Sequence, residues 1–179
     1  MRSLFFASLF ALAAPLSAQH TALHRQIAAI ANDAHGKVAV ACDVDKVSID
    51  CKLDQGGVHP MQSTFKLPLA ICVLRLVQIG DLKLDQPVRF LPSDRYPGSY
   101  SPLQDAHPGA NVDVPLRELL RLSAGLSDNI ATDILLRLVG GPQAVQRTLD
   151  SIGLPNIHVR DSERSMHDHW DAQYRNDAP

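Results

Sequence analysis

The chain has 179 residues, 45% hydrophobic and 20% charged, which is typical of one ordinary globular domain. Its formal net charge is −2, and no basic cluster or RNA-binding motif occurs. These features argue against nucleic acid or an anionic membrane as a partner.

The first 18 residues have the pattern of a secretory signal peptide. A positive charge at Arg2 precedes an apolar run from Leu4 to Leu16, and small residues end at Ala18. The apolar run is too short to span a bilayer comfortably, so we expect export to the periplasm and cleavage after Ala18. Residues 19–179 would then be the mature chain, which we expect to be free of the membrane.

The first part of the mature chain predicts a helix, a hairpin and a second helix. Apolar residues follow one helical stripe from Thr21 to Ala34. The segments KVAVACDV (37–44) and SIDCKLD (48–54) then predict a β-hairpin. From Phe65 to Ile79 the apolar density is that of a buried helix, and Gly80 can end it.

The second part predicts a loop and three helices. Residues 86–112 are rich in Pro, Gly, Asp and Ser and predict a long irregular loop. The helices predicted after it are PLRELLRLSAG from Pro115, DNIATDILLRLVG beside the candidate caps Ser127 and Asp128, and PQAVQRTLDSIG from Pro142 to Gly153. The tail from Leu154 is polar and mostly without periodicity, so no strand is predicted after the hairpin.

The three cysteines are informative in an exported protein, because disulfides persist outside the cytosol. Cys42 and Cys51 lie on the two predicted hairpin strands, so a bridge between them and two separate buried thiols both remain open. Cys72 falls in an apolar helix and is predicted to be a buried free thiol. The odd number and wide spacing argue against a disulfide framework and a zinc site.

Two short motifs contain a nucleophile and groups that can assist it. In Ser63-x-x-Lys66 the hydroxyl and the amine share one face at a helix start, where unpaired N–H groups can bind an oxyanion. Ser127-Asp128-Asn129 places a second hydroxyl and a primary amide side by side before another helix. Each motif also has a structural explanation, with Ser127 and Asp128 as helix caps and Lys66 as a solvated side chain.

A third candidate, Glu163, lies in the acidic, histidine-bearing tract DSERSMHDHWDAQYRN. Its carboxylate can act as a general base, or it can be an exposed loop charge without function. Glu163, His167 and His169 form no recognised zinc spacing with cysteine, so surface histidines are favoured over a metal site.

Together these motifs resemble those of the class A serine β-lactamases, a family of penicillin-recognising serine enzymes. HPMQSTFKLPLA is similar to the nucleophile helix of that family, and LSAGLSDNIATDILLRLVGGPQAV is similar to its second motif and the next helix. Ser127 follows Ser63 by 64 residues and Glu163 follows Ser127 by 36, which fits the family layout with a small insertion around residues 96–109. The resemblance implies an α+β fold of the β-lactamase and transpeptidase type. Residues 19–179 would supply the first helix, the hairpin and most of the helical subdomain, without the C-terminal strands.

The resemblance also implies catalytic roles in hydrolysis of the β-lactam ring of penicillins and cephalosporins. Ser63 would attack the lactam carbonyl, and Lys66 would polarise or deprotonate Ser63. Ser127 would pass a proton to the departing nitrogen, and Glu163 would activate the water that frees the acyl group. No cofactor or metal is implied, the partners are β-lactam small molecules, and we expect a monomer.

Two further residues are implied as substrate contacts, and two depart from the commoner family pattern. Asn129 would hydrogen-bond the amide side chain of the antibiotic, and Tyr100 would border the active site. His167 stands where an Asn commonly holds the deacylating water, so it either holds that water or anchors the loop. Asp161 replaces an Arg that commonly braces this loop.

The third motif of the family, Lys-Thr-Gly on an edge strand, does not follow Glu163 in this sequence. The loss of one oxyanion donor costs about a hundredfold in turnover, and uncovered apolar faces are unfavourable. We therefore expect this chain on its own to be impaired in stability or turnover. A D-alanyl-D-alanine peptidase, a non-catalytic penicillin-binding module and an inactive gene fragment remain as alternatives. Glu163 argues against the peptidase, which needs no deacylating carboxylate.

Overall fold

The computed structural model of the protein describes residues 16–43, 51–54, 56 and 59–169. The chain forms two compact units, Met1–Pro60 and Met61–Pro179. Among the described residues, no helix combines the length and the apolar character needed to cross a bilayer. The predicted signal peptide lies mostly outside the described ranges and stays a prediction.

Within its described residues, the first unit contains one helix and one short hairpin. Helix α1 spans Leu16–Asn32, and strand β1 (Ala39–Val40) pairs antiparallel with strand β2 (Leu53–Asp54). The predicted hairpin is therefore confirmed with shorter strands, although residues 44–50 lie outside the described residues. A disulfide joins Cys42 and Cys51, which decides between the two alternatives that the sequence left open.

The second unit contains the other four predicted helices. They are α2 (Lys66–Gln78, after a 3₁₀ turn at Gln62–Phe65), α4 (Leu116–Leu120, continued by a π-helical turn at Arg121–Gly125), α5 (Asn129–Val139) and α6 (Pro142–Ser151). Asp128 caps the start of helix α5 with a side chain that accepts a hydrogen bond from Ala131 N, and Gly140, with φ +93°, caps its end. The four predicted helices are therefore confirmed, and the caps of α5 are the local signals that the sequence offered.

The prediction of an irregular loop over 86–112 is wrong in part. Strand β3 (Pro87–Phe90) pairs antiparallel with strand β4 (Val112–Pro115), and a short helix α3 (Pro102–Ala106) lies between them. Val88, Phe90 and Val114 are buried, so each strand follows the alternation of a half-buried sheet. The strands were missed because they are four residues long and each carries a terminal proline, a residue that sheets tolerate at strand ends.

The polar tail, which shows little periodicity in the sequence, also contains a helix. Helix α7 spans Glu163–Asp168, and the Ser162 side chain caps it by accepting a hydrogen bond from Ser165 N. Its six residues are too few to show helical periodicity in the sequence. Glu163 is therefore the first residue of a helix and not a residue of an extended loop.

One hydrophobic core fixes the helices of the second unit relative to one another. Its fully buried members come from α2, β3, α4, α5 and α6, and include Leu69, Val73, Phe90, Leu116, Leu119, Ile130, Ile134, Leu135, Val145 and Leu149. Cys72 is also buried, as predicted, and its sulfur accepts a hydrogen bond from Thr148 Oγ1 at 3.2 Å. Because cores pack as densely as organic crystals, the start of α2 and the start of α5 have fixed positions.

Candidate active site

The ammonium group of Lys66 is the centre of the site. Its side chain is 3% exposed, which excludes the alternative of a solvated lysine. Nζ donates to Ser127 O at 2.7 Å, to Ser127 Oγ at 3.0 Å and to Asn129 Oδ1 at 2.7 Å. An ammonium has three N–H groups, so these acceptors use all of its donors.

Glu163 forms an ion pair with the Lys66 ammonium. Its Oε1 lies 3.0 Å from Lys66 Nζ, and its side chain is only 11% exposed. In the part of the chain that the structure describes, this buried oxygen has no hydrogen-bond partner. The three other acceptors of Lys66 account for this, and a buried ion pair is retained because either charge alone would be strongly unfavourable.

Ser127 reaches Lys66 because of an unusual backbone. It has φ +58°, which is rare for a residue with a side chain, and it lies two residues after the end of the π-helical turn. Asp128 holds this conformation with a fully buried carboxylate that accepts from Ser101 Oγ (2.7 Å), Leu103 N (2.7 Å) and Ala131 N (2.9 Å). Asp128 is therefore both the cap of α5 and the brace of the Ser127 turn.

Ser63 lies in the 3₁₀ turn before α2 and lines a cavity of about 560 Å³. The other lining residues are Gln62, Asn129, Glu163, Met166, His167 and Asp168. Ser63 is exposed, and among the described residues its hydroxyl has no hydrogen-bond partner, Lys66 included. The cavity therefore brings the candidate nucleophile together with Asn129 and Glu163, while the hydroxyl is left open to an incoming molecule.

Sequence reasoning missed three of the residues that line the cavity. Gln62 directly precedes Ser63 and has φ +48°, a strained conformation that no sequence pattern announced. Met166 and Asp168 lie on α7, which was not predicted as a helix. The spacing of Met166, three residues after Glu163, would have placed it on the same face had the helix been expected.

Tyr100 lies beside the site through its backbone. Its carbonyl accepts a hydrogen bond from Asn129 N at 3.1 Å, and its side chain is 60% exposed. The residues that line the cavity do not include it. Its expected role as a substrate contact stays a prediction.

Asp133 on α5 holds the first turn of α7 and was not singled out in the sequence. Its two carboxylate oxygens accept hydrogen bonds from Glu163 N at 2.8 Å and Arg164 N at 2.9 Å. Burial raises the pKa of Asp133 from 3.8 to about 6, against the lowering effect of these two bonds. A carboxylate among the apolar residues of IATDILL was the available signal, since such residues are rarely buried unpaired.

The remaining polar residues of the tail make local contacts. Asp161 Oδ1 accepts from Ser165 Oγ at 3.1 Å, and His169 Nδ1 lies 2.9 Å from Ser165 O. His167 lines the cavity and packs on Tyr96. Across the described residues, no three His, Cys, Asp or Glu side chains come together to hold a metal ion.

We predict that Asp133 makes stability depend on pH between about 4 and 6. Because its pKa is higher in the folded chain, the folded state binds the extra proton in this range. Its contribution is therefore complete below about pH 4 and is lost as the pH rises through about 6. Relative to Asp133→Asn, the unmutated chain should gain about 2 kcal/mol in free energy of unfolding from pH 7 to pH 4. Urea unfolding of both chains at several pH values checks this, and a difference that stays constant with pH would contradict it.

Comparison with known proteins agrees with this geometry. The family model described as "Beta-lactamase enzyme family" matches residues 22–178. The chain is 30% identical over 174 residues to β-lactamase VEB-1 of Pseudomonas aeruginosa, covering 97% of this chain and 56% of that protein. It therefore spans little more than half the length of this relative.

Solved structures give the same result. The TLA-3 extended-spectrum β-lactamase is 30% identical with a TM-score of 0.77, covering 87% of this chain and 56% of that one. A representative class A β-lactamase from Bacteroides cellulosilyticus is 28% identical with a TM-score of 0.70, covering 85% of this chain and 55% of the other. The expected α+β fold is thereby confirmed, and the chain belongs to the class A serine β-lactamases.

Proposed function

We propose that this chain opens β-lactam rings through an acyl-enzyme on Ser63. The observation that carries the proposal is the convergence of Ser127 Oγ, Asn129 Oδ1 and Glu163 Oε1 on Lys66 Nζ, beside a cavity that Ser63 lines. The cavity volume of about 560 Å³ suits a ligand of drug size.

Acylation uses the groups at the start of α2 and α5. Lys66 first passes a proton to Glu163, 3.0 Å away, and its amine then takes the proton of Ser63 as Ser63 Oγ attacks the lactam carbonyl. The C–N bond of the ring breaks as Ser127 Oγ delivers a proton to the departing nitrogen and regains one from Lys66, with which it shares a hydrogen bond. Glu163 then returns its proton to Lys66, so its carboxylate is free for the next step. Asn129, which lines the cavity, binds the amide side chain of the antibiotic.

Deacylation depends on Glu163. Its carboxylate lines the same cavity as Ser63 and takes a proton from a water molecule that attacks the ester. The ester C–O bond breaks, Ser63 regains its proton, and the opened product leaves. This placement supports a β-lactamase over a D-alanyl-D-alanine peptidase or a penicillin-binding module, both of which would keep the acyl group.

We predict that a single acyl adduct forms on Ser63 and that its lifetime depends on Glu163. Penicillin should add its full mass to the chain, Ser63→Ala should abolish the adduct, and Glu163→Gln should extend its lifetime by about a hundredfold or more. Intact-mass spectrometry after rapid mixing measures both steps, even if turnover is slow. Ser151→Ala, at an exposed position, and Glu118→Gln, at a half-buried position away from the cavity, are the matched controls.

The outcomes separate the alternatives. An adduct with the same long lifetime in the unmutated chain and in Glu163→Gln would favour a penicillin-binding module. No adduct in the unmutated chain would contradict the proposed function.

We also propose that the protein is exported to the periplasm and acts there as a monomer. The Cys42–Cys51 disulfide supports an oxidising compartment. Cell fractionation with N-terminal sequencing should find the mature chain beginning at Gln19 in the periplasm, and light scattering should give the mass of one chain. An unprocessed chain in the cytoplasm would contradict the export proposal.

A further inference from the structure

The ring of Tyr96 is held between two residues of α7. Arg164 places its guanidinium carbon 4.8 Å from the ring centroid, within the range of a cation–π contact. His167 packs against the same ring with centroids 5.4 Å apart and planes at 77°, an edge-to-face arrangement. Tyr96 is 8% exposed and belongs to the hydrophobic core, so core packing also holds the ring in place.

Arg164 also ties α7 to the segment that carries Tyr96. Its guanidinium donates to Ser93 O at 2.7 Å and to Arg95 O at 3.1 Å. The same side chain thus covers the ring and binds the backbone on its N-terminal side.

Gly98 permits the close approach of His167. A Cβ built on Gly98 would lie 3.3 Å from His167 Nε2, and Gly98 has φ +76°, a conformation that residues with side chains rarely adopt. His167 is therefore contacted both by the aromatic ring of Tyr96 and by the backbone of Gly98, which has no side chain.

The helical spacing links these contacts to the cavity. Arg164 and His167 are three residues apart and share the face that holds Tyr96, whereas Glu163 and His167 are four residues apart and both line the cavity. A helix of six residues does not persist without tertiary contacts, so α7 depends on what packs against it. Asp133 holds only the two N-terminal amides of α7.

We propose that Tyr96 is a positioning residue for deacylation. Its ring fixes the face of α7 that presents Glu163 and His167 to the acyl group on Ser63. The inference rests on the proposed function and adds a residue outside the cavity that governs one step of it. Acylation depends less on Tyr96, because the core holds the elements that carry Ser63, Lys66 and Ser127, and of the acylating groups only Glu163 comes from α7.

The hydroxyl of Tyr96 makes a second, separable contribution. Burial, opposed by the nearby Ser99 hydroxyl, raises the pKa of Tyr96 to about 12, so the group is neutral at physiological pH. Among the described residues, the buried oxygens of Tyr96 and Ser99 have no hydrogen-bond partner. The Ser99 hydroxyl lies near enough to affect this pKa, but its geometry is too poor for a hydrogen bond, so Tyr96→Phe is a control that keeps the ring and the hydrogen bonds of the described residues.

The test compares Tyr96→Leu with Tyr96→Phe in the full chain. By intact-mass spectrometry with penicillin, Tyr96→Leu should form the Ser63 adduct within about threefold of the normal rate and hold it about tenfold longer or more. Tyr96→Phe should match the unmutated chain in both steps. Gly98→Ala, which pushes on His167 from the other side, should reproduce the longer lifetime.

Hydrogen exchange gives a readout that does not require turnover. In Tyr96→Leu the amides of Glu163–Asp168 should exchange about tenfold faster or more, while α2, α5 and α6 stay protected. Tyr96→Phe should leave the exchange unchanged.

Three results would overturn the proposal: an unchanged adduct lifetime in Tyr96→Leu, an equal slowing of both steps, or equal damage in Tyr96→Phe. An unmutated chain that is never acylated would instead overturn the proposed function and the deacylation role with it. Hydrogen exchange would then still decide whether Tyr96 holds α7.

Discussion

A buried ammonium group must be surrounded by oxygen atoms, and this requirement organises the site. The side chain of Lys66 is almost completely buried, so its charge has lost its water and needs acceptors from the protein. Ser127 and Asn129 supply three hydrogen bonds, and Glu163 supplies the opposite charge. These contacts join α2, the turn before α5 and the start of α7. The interaction that satisfies the buried charge therefore also collects the groups that acyl transfer needs.

The three elements that meet at Lys66 are not held equally well. Helices α2 and α5 share the core, and Asp128 braces the turn between α4 and α5 with three hydrogen bonds. Helix α7 has only six residues. Asp133 accepts hydrogen bonds from its first two amides, and the Tyr96 ring contacts its Arg164 and His167 side chains. Most of the groups for acylation are thus rigid, while Glu163, the group proposed for deacylation, rests on a few tertiary contacts. We infer that the second step is the more sensitive to changes away from the cavity.

Much of this arrangement was predictable because it depends on signals between residues that are close in the sequence. Long apolar stripes, Asp128 as a cap, Gly140 and the Ser63 and Ser127 motifs all act within one or two helical turns. The missed features depend on distant partners or on short segments. Strands β3 and β4 are too brief to show a pattern, and α7 has six residues. The role of Asp133 and the burial of Lys66 follow from tertiary packing, which no local spacing reports. Glu163 could be assigned to the site from the sequence only through the resemblance to a known family, because its contact with Lys66 depends on the tertiary fold.

The most direct test of this account is the free energy of unfolding of Lys66→Met, measured in urea alone and combined with Glu163→Gln. Loss of the ammonium leaves Glu163 buried without its counter-charge, so Lys66→Met should cost about 3–5 kcal/mol. Adding Glu163→Gln should restore about 1 kcal/mol or more, because it removes the stranded charge. Lys83→Met, at an exposed position, is the matched control and should change stability by about 0.5 kcal/mol or less. A Lys66→Met chain as stable as this control, with no recovery in the double variant, would show that the buried ammonium does not organise the site.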